Sequence, residues 1–165
     1  MRLFKGESSE KGQSLVEMAL VVLLFFFVLF GILEFSRALW TYNTIIHSTR
    51  AAARWAVVNA KVTAYNSGTG VYTIDSADLA SVKNVAVYGD PTVSSGNPVT
   101  LGLNTSMVTV TIKAIEQDAL GNALNKQVTV DVSGYQFQFI VPIAPNITIP
   151  AYQTTLYTES LGATS

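Results

Sequence analysis

Three residues near the N-terminus have types and spacing that could do chemistry: Gly12, Gln13 and Glu17. Cleavage of the peptide bond between Gly12 and Gln13 would create an ammonium group at Gln13, and Glu17 would then lie four residues along. Because residues at i and i+4 are neighbours on a helix, the carboxylate could pair with that amine in its own chain or with the amine of an adjacent subunit. In the second case the pair would set the axial register of an assembly, since an unpaired charge among packed apolar helices is costly. The simpler interpretation is that Glu17 only marks the start of the apolar segment that follows.

The other residues that could bind a metal or transfer a proton form no recognisable site. His47 is the only histidine, and the chain has no cysteine, which excludes disulfides, thiolate catalysis and cysteine-bound metals. Asp75, Asp78 and Asp90 lack the spacing of a calcium-binding loop, so we interpret them as turn and helix-cap residues. The formal net charge is -1 and the basic residues form no block, which argues against a nucleic-acid-binding protein. We therefore expect no enzyme activity, no cofactor, no metal site and no nucleic-acid partner.

A long apolar segment follows Glu17. Residues 18–33, MALVVLLFFFVLFGIL, contain no polar side chain. A secretory signal usually has about 7 to 15 apolar residues before a small-residue cleavage site, and the following EFSRALW offers no such site, so a cleaved signal is the weaker alternative. A membrane span needs roughly 20 residues, a length that residues 15–35 reach if the glutamates near the two ends lie at the interfaces. The N-terminal flank carries three basic residues: Arg2, Lys5 and Lys11. This bias predicts a cytoplasmic N-terminus and a body on the other side of the membrane.

The predicted helix continues beyond the membrane, because residues 14–61 contain no proline and a single glycine. A stripe of mostly apolar residues recurs at spacings of three and four: Phe35, Leu39, Tyr42, Ile46, Thr49, Ala53, Ala56 and Ala60. Thr41 and Ser48 fall on the opposite, polar side. We expect Leu39, Ile46 and Ala53 to contact either a sheet of the same chain or another subunit. The helix is expected to end near YNSGTG, residues 65–70.

The sequence also predicts the surroundings of four further side chains of this helix. Trp40 lies just past the span, where tryptophan commonly marks the membrane interface. Trp55 projects from the less apolar side and could be a subunit contact. Glu34 and Arg37 are three residues apart and could form an ion pair, which would add little stability if it were exposed.

Beyond residue 70 the apolar pattern alternates, as in a half-buried sheet. Strands are predicted at residues 82–88 (after a helical turn at SADLA), 107–115, 128–132 and, as an edge strand, 151–157. Residues 116–127 are expected to form a hairpin connection. Ser133–Gly134 would form a bulge, so that the aromatic residues at 135–139 continue the same strand on the same face. Three prolines are expected to end that strand: Pro142, Pro145 and Pro150.

Together these elements predict an α+β fold class, in which a long N-terminal transmembrane and amphipathic helix packs on a small antiparallel sheet. The predicted segments are a cleaved, disordered cytoplasmic leader at 1–12, a transmembrane helix at 13–36, its amphipathic continuation at 37–64 and an extracytoplasmic β-rich domain at 65–165. No space for a large pocket is expected in this arrangement.

The N-terminal third of the chain resembles a known family. KGQSLVEMALVVLLFFFVLFGILEFSRALWTYN, residues 11–43, resembles the N-terminus of the TadE-like pseudopilins of tight-adherence (Tad/Flp) pilus systems. AAARWAVV at 51–58 and VTVDVSGYQFQFIVPIAP at 128–145 are also similar to that family, and residues 65–125 are not. Flp major pilins are much shorter, TadG-like members are longer, and ordinary type IV pilins usually have phenylalanine where this chain has Gln13.

The resemblance implies a pilin-like fold, cleavage after Gly12 by a prepilin peptidase, and residence in the bacterial inner membrane as a single-pass protein with a periplasmic or extracellular body. It implies a minor pseudopilin whose partners are other pilins or pseudopilins and the assembly machinery, with a role in pilus assembly and surface adhesion. The alternative is a permanently anchored protein whose β-domain binds a ligand or an envelope partner. The two hypotheses differ at Gly12, which only the first expects to be cleaved.

Overall fold

The computed structural model describes residues 7–117, 123–140 and 146–158. Its first element is a single helix, α1, at Glu7–Asn59. At about 1.5 Å per residue this helix is about 80 Å long, and no proline interrupts it. The prediction of a disordered leader is therefore wrong for residues 7–12, which are helical; residues 1–6 lie outside the described residues.

Helix α1 ends earlier than its predicted limits, and residues 60–64 do not continue it. The chain instead forms an antiparallel hairpin of β1 (Val62–Asn66) and β2 (Val71–Ile74), which the β-branched residues at 62 and 63 favour. YNSGTG is the turn of this hairpin rather than the end of a helix. The Asn66 side chain accepts two backbone N–H groups within the turn, and Gly70 has a φ of +69°, a conformation that favours glycine.

The predicted strand at residues 82–88 is wrong, because Ser76–Tyr88 forms helix α2. The Asp75 carboxylate accepts the backbone N–H groups of Ala77 and Asp78 and so caps the helix start. Gly89, with a φ of +77°, ends the helix in the left-handed conformation. Both caps are local signals for a helix, and they outweigh the short alternation of VKNVAVY. The buried residues of α2 are Val82, Val85, Ala86 and Val87.

The described residues after α2 contain a 3-10 turn at Thr105–Met107 and five further strands: β3 (Val108–Gln117), β4 (Ala123–Val132), β5 (Gln136–Phe137), β6 (Ile147–Thr148) and β7 (Tyr152–Thr158). The main sheet is antiparallel, with the order β1-β2-β3-β4-β7. This confirms the α+β fold class and the predicted strands β3, β4 and β7, the last at an edge. The hairpin connection is shorter than predicted, since both strands extend into residues 116–127; residues 118–122 lie outside the described residues.

The prediction of a bulge at Ser133–Gly134 within one continuous strand is wrong. Strand β4 stops at Val132, Gly134 adopts a φ of +75°, and the chain leaves the main sheet. Strands β5 and β6 then pair with each other as a separate two-stranded ribbon, here called the β5–β6 ribbon. Tyr135 and Phe137 are nevertheless buried in the core, as the alternating pattern predicted. Of the prolines expected to end the strand, Pro142 and Pro145 lie outside the described residues.

The core lies between α1, α2 and the main sheet, and the face of α1 that it buries differs from the predicted stripe. Ile45, Thr49, Ala52, Ala53 and Ala56 are each at most 2 % exposed. The predicted contact residue Ala53 is therefore buried, whereas Leu39 is 48 % exposed and Ile46 is only half-buried. The centre of the stripe has moved by about one residue around the helix.

Buried hydroxyl side chains account for part of this shift. Thr41 and Ser48, which were predicted on the polar side, are 4 % and 8 % exposed. The Ser48 and Thr49 hydroxyls donate to the Ile45 carbonyl at 3.0 and 2.7 Å, so their polar atoms are satisfied within the helix and can be buried. Small side chains also allow α2 and the sheet to approach α1 closely, an advantage that hydrophobicity alone does not reveal. Trp55 is half-buried and packs against this core rather than projecting away from it.

Candidate membrane and assembly site

The N-terminal end of α1 brings together the residues of the predicted processing site. The helix passes through Gly12 without interruption. The Gln13 side-chain amide Nε2 donates to the Glu17 carboxylate Oε1 at 3.1 Å, across one helical turn, and both side chains are exposed. The carboxylate that the sequence singled out thus has a partner on Gln13, although that partner is the side-chain amide and not a terminal amine.

The next part of α1 presents an apolar surface on all sides. The helix from Gly12 to Asn59 has an eighteen-residue window of mean hydropathy 2.8, none of which is buried within the chain. It is long and apolar enough to cross a membrane, and three of its phenylalanines contact one another, Phe25 edge-on with Phe26 and Phe26 stacked with Phe30. A helix that is apolar all round and uncovered by its own chain suits a lipid environment.

The Glu34–Arg37 pair lies where the apolar surface meets the folded body. Glu34 is only 8 % exposed, and its Oε2 accepts from Arg37 Nη2 at 2.7 Å and Nε at 3.2 Å. The Arg37 guanidinium also donates to the Gln138 carbonyl and lies 4.2 Å from the ring centroid of Phe137. The predicted ion pair is therefore present, and it is partly buried rather than exposed. The pair joins α1 to a segment 101 residues away, which the local sequence around Glu34 cannot indicate.

An apolar groove, here called the junction groove, lies directly below this ion pair. It has a volume of about 460 Å³, in contrast to the expectation of no space for a large pocket. One wall is α1 and the other is the β5–β6 ribbon with its flanking residues. The lining residues are Phe27, Phe30, Gly31, Glu34, Phe35, Ala38, Phe137, Phe139, Ile147 and Ile149.

In a comparison with known protein families, the part of the chain that matches lies on helix α1. Residues 12–54 match the family model described as TadE-like protein. This part of α1, here called the TadE-like segment, is similar to that family. The match begins at Gly12, next to Gln13, and ends at Arg54, close to the end of α1. No curated protein and no solved structure matches the chain.

The remaining side chains singled out in the TadE-like segment lie on its outer surface. Leu39 and Trp40 are 48 % and 66 % exposed, just beyond the Glu34–Arg37 pair, and neither lines the junction groove. His47 is exposed. Arg50 Nε donates to the Tyr152 hydroxyl at 3.2 Å, which ties the segment to the edge strand β7.

Of the three aspartates singled out in the sequence, Asp75 and Asp90 have the predicted cap and turn roles, and Asp78 accepts a hydrogen bond from a more distant backbone group. Asp75 caps α2, and Asp78 Oδ2 accepts the Lys61 backbone N–H at 2.8 Å. Asp90 accepts from the hydroxyl and the backbone N–H of Thr92, both at 2.7 Å, and these hydrogen bonds hold the pKa of Asp90 below its ordinary value. Among the described residues, no three His, Asp or Glu side chains come together as a metal site.

Proposed function

We propose that the chain is a minor pseudopilin of a Tad/Flp-type pilus, held in the bacterial inner membrane by α1 with its N-terminus in the cytoplasm. A prepilin peptidase cleaves it between Gly12 and Gln13, and the processed chain contributes to pilus assembly and surface adhesion. The observation that carries the proposal is the TadE-like match, which begins at Gly12 on a helix whose apolar surface its own chain leaves uncovered.

The geometry at Gly12 suits processing. After proline, glycine is the residue least favourable to a helix, by about 1 kcal/mol relative to alanine, so Gly12 weakens α1 at this position. A side chain added at Gly12 would meet nothing within 4 Å, and the bond to Gln13 is therefore open to an enzyme. Local opening of one turn would present an extended peptide without disturbing the core, which begins more than 20 residues later.

Cleavage would change the partner of Glu17. The carboxylate now accepts one hydrogen bond from a neutral amide at 3.1 Å. An ammonium created on the same residue, Gln13, would offer a charge-assisted bond that is shorter and about twice as strong. On a helix packed among others in an assembly, Glu17 would then neutralise the ammonium of its own or a neighbouring chain.

Intact mass spectrometry of the membrane-extracted chain tests processing. In cells that contain the prepilin peptidase, we expect a chain that starts at Gln13. Cells that lack the peptidase provide the control and should retain the leader. A full-length chain in both strains would contradict the proposal and would favour the permanently anchored protein, whose body binds a ligand or an envelope partner.

A further inference from the structure

We propose that the junction groove binds one acyl chain of a membrane phospholipid, which enters from the outer leaflet between α1 and the β5–β6 ribbon. This inference rests on the membrane insertion of α1 and is independent of pilus assembly. A bound acyl chain would cover apolar surface of the ribbon, which is separate from the main sheet and leaves Ile147 52 % exposed.

The size and lining of the groove suit a hydrocarbon ligand. Its volume of about 460 Å³ falls in the range of about 300–1,000 Å³ that is usual for small-ligand sites. Nine of its ten lining residues are apolar, and the tenth is Glu34, whose carboxylate is neutralised by Arg37. A lining of this kind offers an incoming molecule dispersion contacts and no uncompensated charge.

The position of the groove along α1 indicates where the ligand comes from. Its helical wall runs from Phe27 to Ala38, roughly 16 Å along the axis, and the part before Glu34, roughly 10 Å, belongs to the apolar span. Phe27, Phe30 and Gly31 belong to the apolar run that precedes Glu34. The groove is therefore continuous with the lipid-facing surface of the helix, so acyl chains reach it before any water-soluble ligand does.

The upper end of the groove argues against the helix of a second copy as its occupant. Arg37 reaches the Gln138 carbonyl, and its guanidinium lies on the Phe137 ring, so the ribbon contacts α1 at this level. A packed helix needs an unobstructed path along α1 at an axial separation of about 8–10 Å. A single acyl chain can end below the obstruction, where Arg37, with 34 % of its side chain exposed, can meet the phosphate of the same lipid.

Photo-crosslinking of the full-length chain in vesicles of phosphatidylethanolamine and phosphatidylglycerol tests the proposal. A small diazirine-bearing aliphatic residue replaces, one at a time, Ile147 on the groove wall, Ile32 on the span outside the groove, and Val58 at the far end of α1. After irradiation, intact mass separates a phospholipid adduct from a crosslinked pair of chains. We expect phospholipid adducts at Ile147 and Ile32 and none at Val58.

A groove-filling variant separates bound lipid from general contact with the bilayer. A Cβ added at Gly31 would meet nothing within 4 Å, and Gly31 lines the groove, so Gly31→Leu places apolar bulk there. This variant should reduce the Ile147 adduct severalfold and leave the Ile32 adduct unchanged. Leu33→Phe adds bulk at an exposed position outside the groove and should change neither adduct.

The outcomes that would overturn the proposal are distinct. A crosslinked pair of chains at Ile147, no adduct there, or an Ile147 adduct that Gly31→Leu leaves unchanged would exclude an acyl chain in the groove while leaving the membrane anchor intact. Loss of the adduct at Ile32 as well would overturn both this inference and the membrane insertion assumed in the proposed function.

Discussion

At the start of α1, the side chain of Gln13 holds the Glu17 carboxylate by one hydrogen bond of 3.1 Å in an exposed setting. For an isolated chain such a bond adds little, since water competes for both groups. The same carboxylate has a larger role if processing leaves an ammonium on Gln13 and the helix is packed among other apolar helices. The contribution of the Glu17 carboxylate to stability therefore depends on whether the chain is assembled. A test of its role must measure assembly.

Glu17→Gln should leave insertion and cleavage unchanged and abolish assembly. An amide removes the charge that neutralises the Gln13 ammonium, a loss of about 3–5 kcal/mol for a pair buried between packed helices. The measurement is co-isolation of the variant with other pilus components, together with intact mass and surface adhesion. Ser14→Ala, at an exposed neighbouring position, is the matched control and should assemble normally. Wild-type assembly by Glu17→Gln would falsify the pairing role.

Arg37 is the second residue for which a single substitution is informative. Arg37→Gln removes the cation that neutralises the buried Glu34 and donates to Gln138, and should lower the free energy of unfolding by about 1.5–3 kcal/mol. Thermal unfolding of the full chain in detergent, followed by circular dichroism, measures this loss. Arg54→Gln is the control, because Arg54 is exposed and forms no ion pair with any described residue. Equal melting temperatures for the two variants would mean that the Glu34–Arg37 pair does not hold the body on the helix.

At the scale of elements, adjacent isoleucines test which face of α1 packs on the sheet. Ile45 is 2 % exposed and Ile46 is half-buried. Ile45→Lys should destabilise the protein by roughly 3–5 kcal/mol, since it places an unpaired ammonium in the core and removes a packed side chain. Ile46→Lys should cost less than about 1 kcal/mol, because the lysine can extend along the surface to water. Unfolding curves of the two full-length variants measure the two losses in the free energy of unfolding. A larger loss for Ile46→Lys would mean that the stripe predicted from hydrophobicity is the face that packs on the sheet.

Elements whose signal is periodic over many residues were predictable, and those decided by a few side chains were not. The alternation at residues 107–115 and 128–132 correctly predicted paired strands, and the absence of proline correctly predicted one long helix. The segment 82–88 alternates too, yet the caps at Asp75 and Gly89 make it helical. The chain leaves the sheet after Val132 because Gly134 permits a positive φ, an alternative that the alternating pattern alone does not distinguish from a bulge.

The candidate site also has a part that the sequence predicted, at Gln13 and Glu17, and a part that it did not, around the Glu34–Arg37 pair and the junction groove. The i, i+4 spacing of Gln13 and Glu17 is local, and the sequence alone brought them to attention. The i, i+3 spacing of Glu34 and Arg37 predicted the ion pair. Its burial, however, depends on Phe137 and Gln138, about 100 residues away. The junction groove likewise requires the position of the β5–β6 ribbon, which tertiary packing sets and no local pattern specifies.

At the scale of the whole molecule, the body covers only the C-terminal part of α1. The buried residues of the helix begin at Glu34, and every described position before it on the span is exposed. About 30 Å of uncovered apolar helix, roughly 20 residues, matches the hydrocarbon thickness of a bilayer. If this stretch spans the bilayer, the Glu34–Arg37 pair lies at one membrane boundary, and its contact with Gln138 holds the body close to that boundary.

The orientation of this arrangement follows from the charges that flank the span. Arg2, Lys5 and Lys11 precede it, whereas Arg37 is the nearest basic residue after it. Basic residues are retained on the cytoplasmic side, so the N-terminus should be cytoplasmic and the body should lie across the membrane. Because the chain has no cysteine, a single introduced thiol reports its own location without background.

Val58→Cys and Ser14→Cys place that thiol at exposed positions on the two sides of the span. A membrane-impermeant maleimide added to spheroplasts should label Val58→Cys at once, and should label Ser14→Cys only after the inner membrane is permeabilised. Both thiols remain in the chain after cleavage at Gly12, so the result does not depend on processing. The reverse pattern would place the body in the cytoplasm, where it could not join an external pilus, and labelling of both thiols in intact spheroplasts would mean that α1 does not span the membrane.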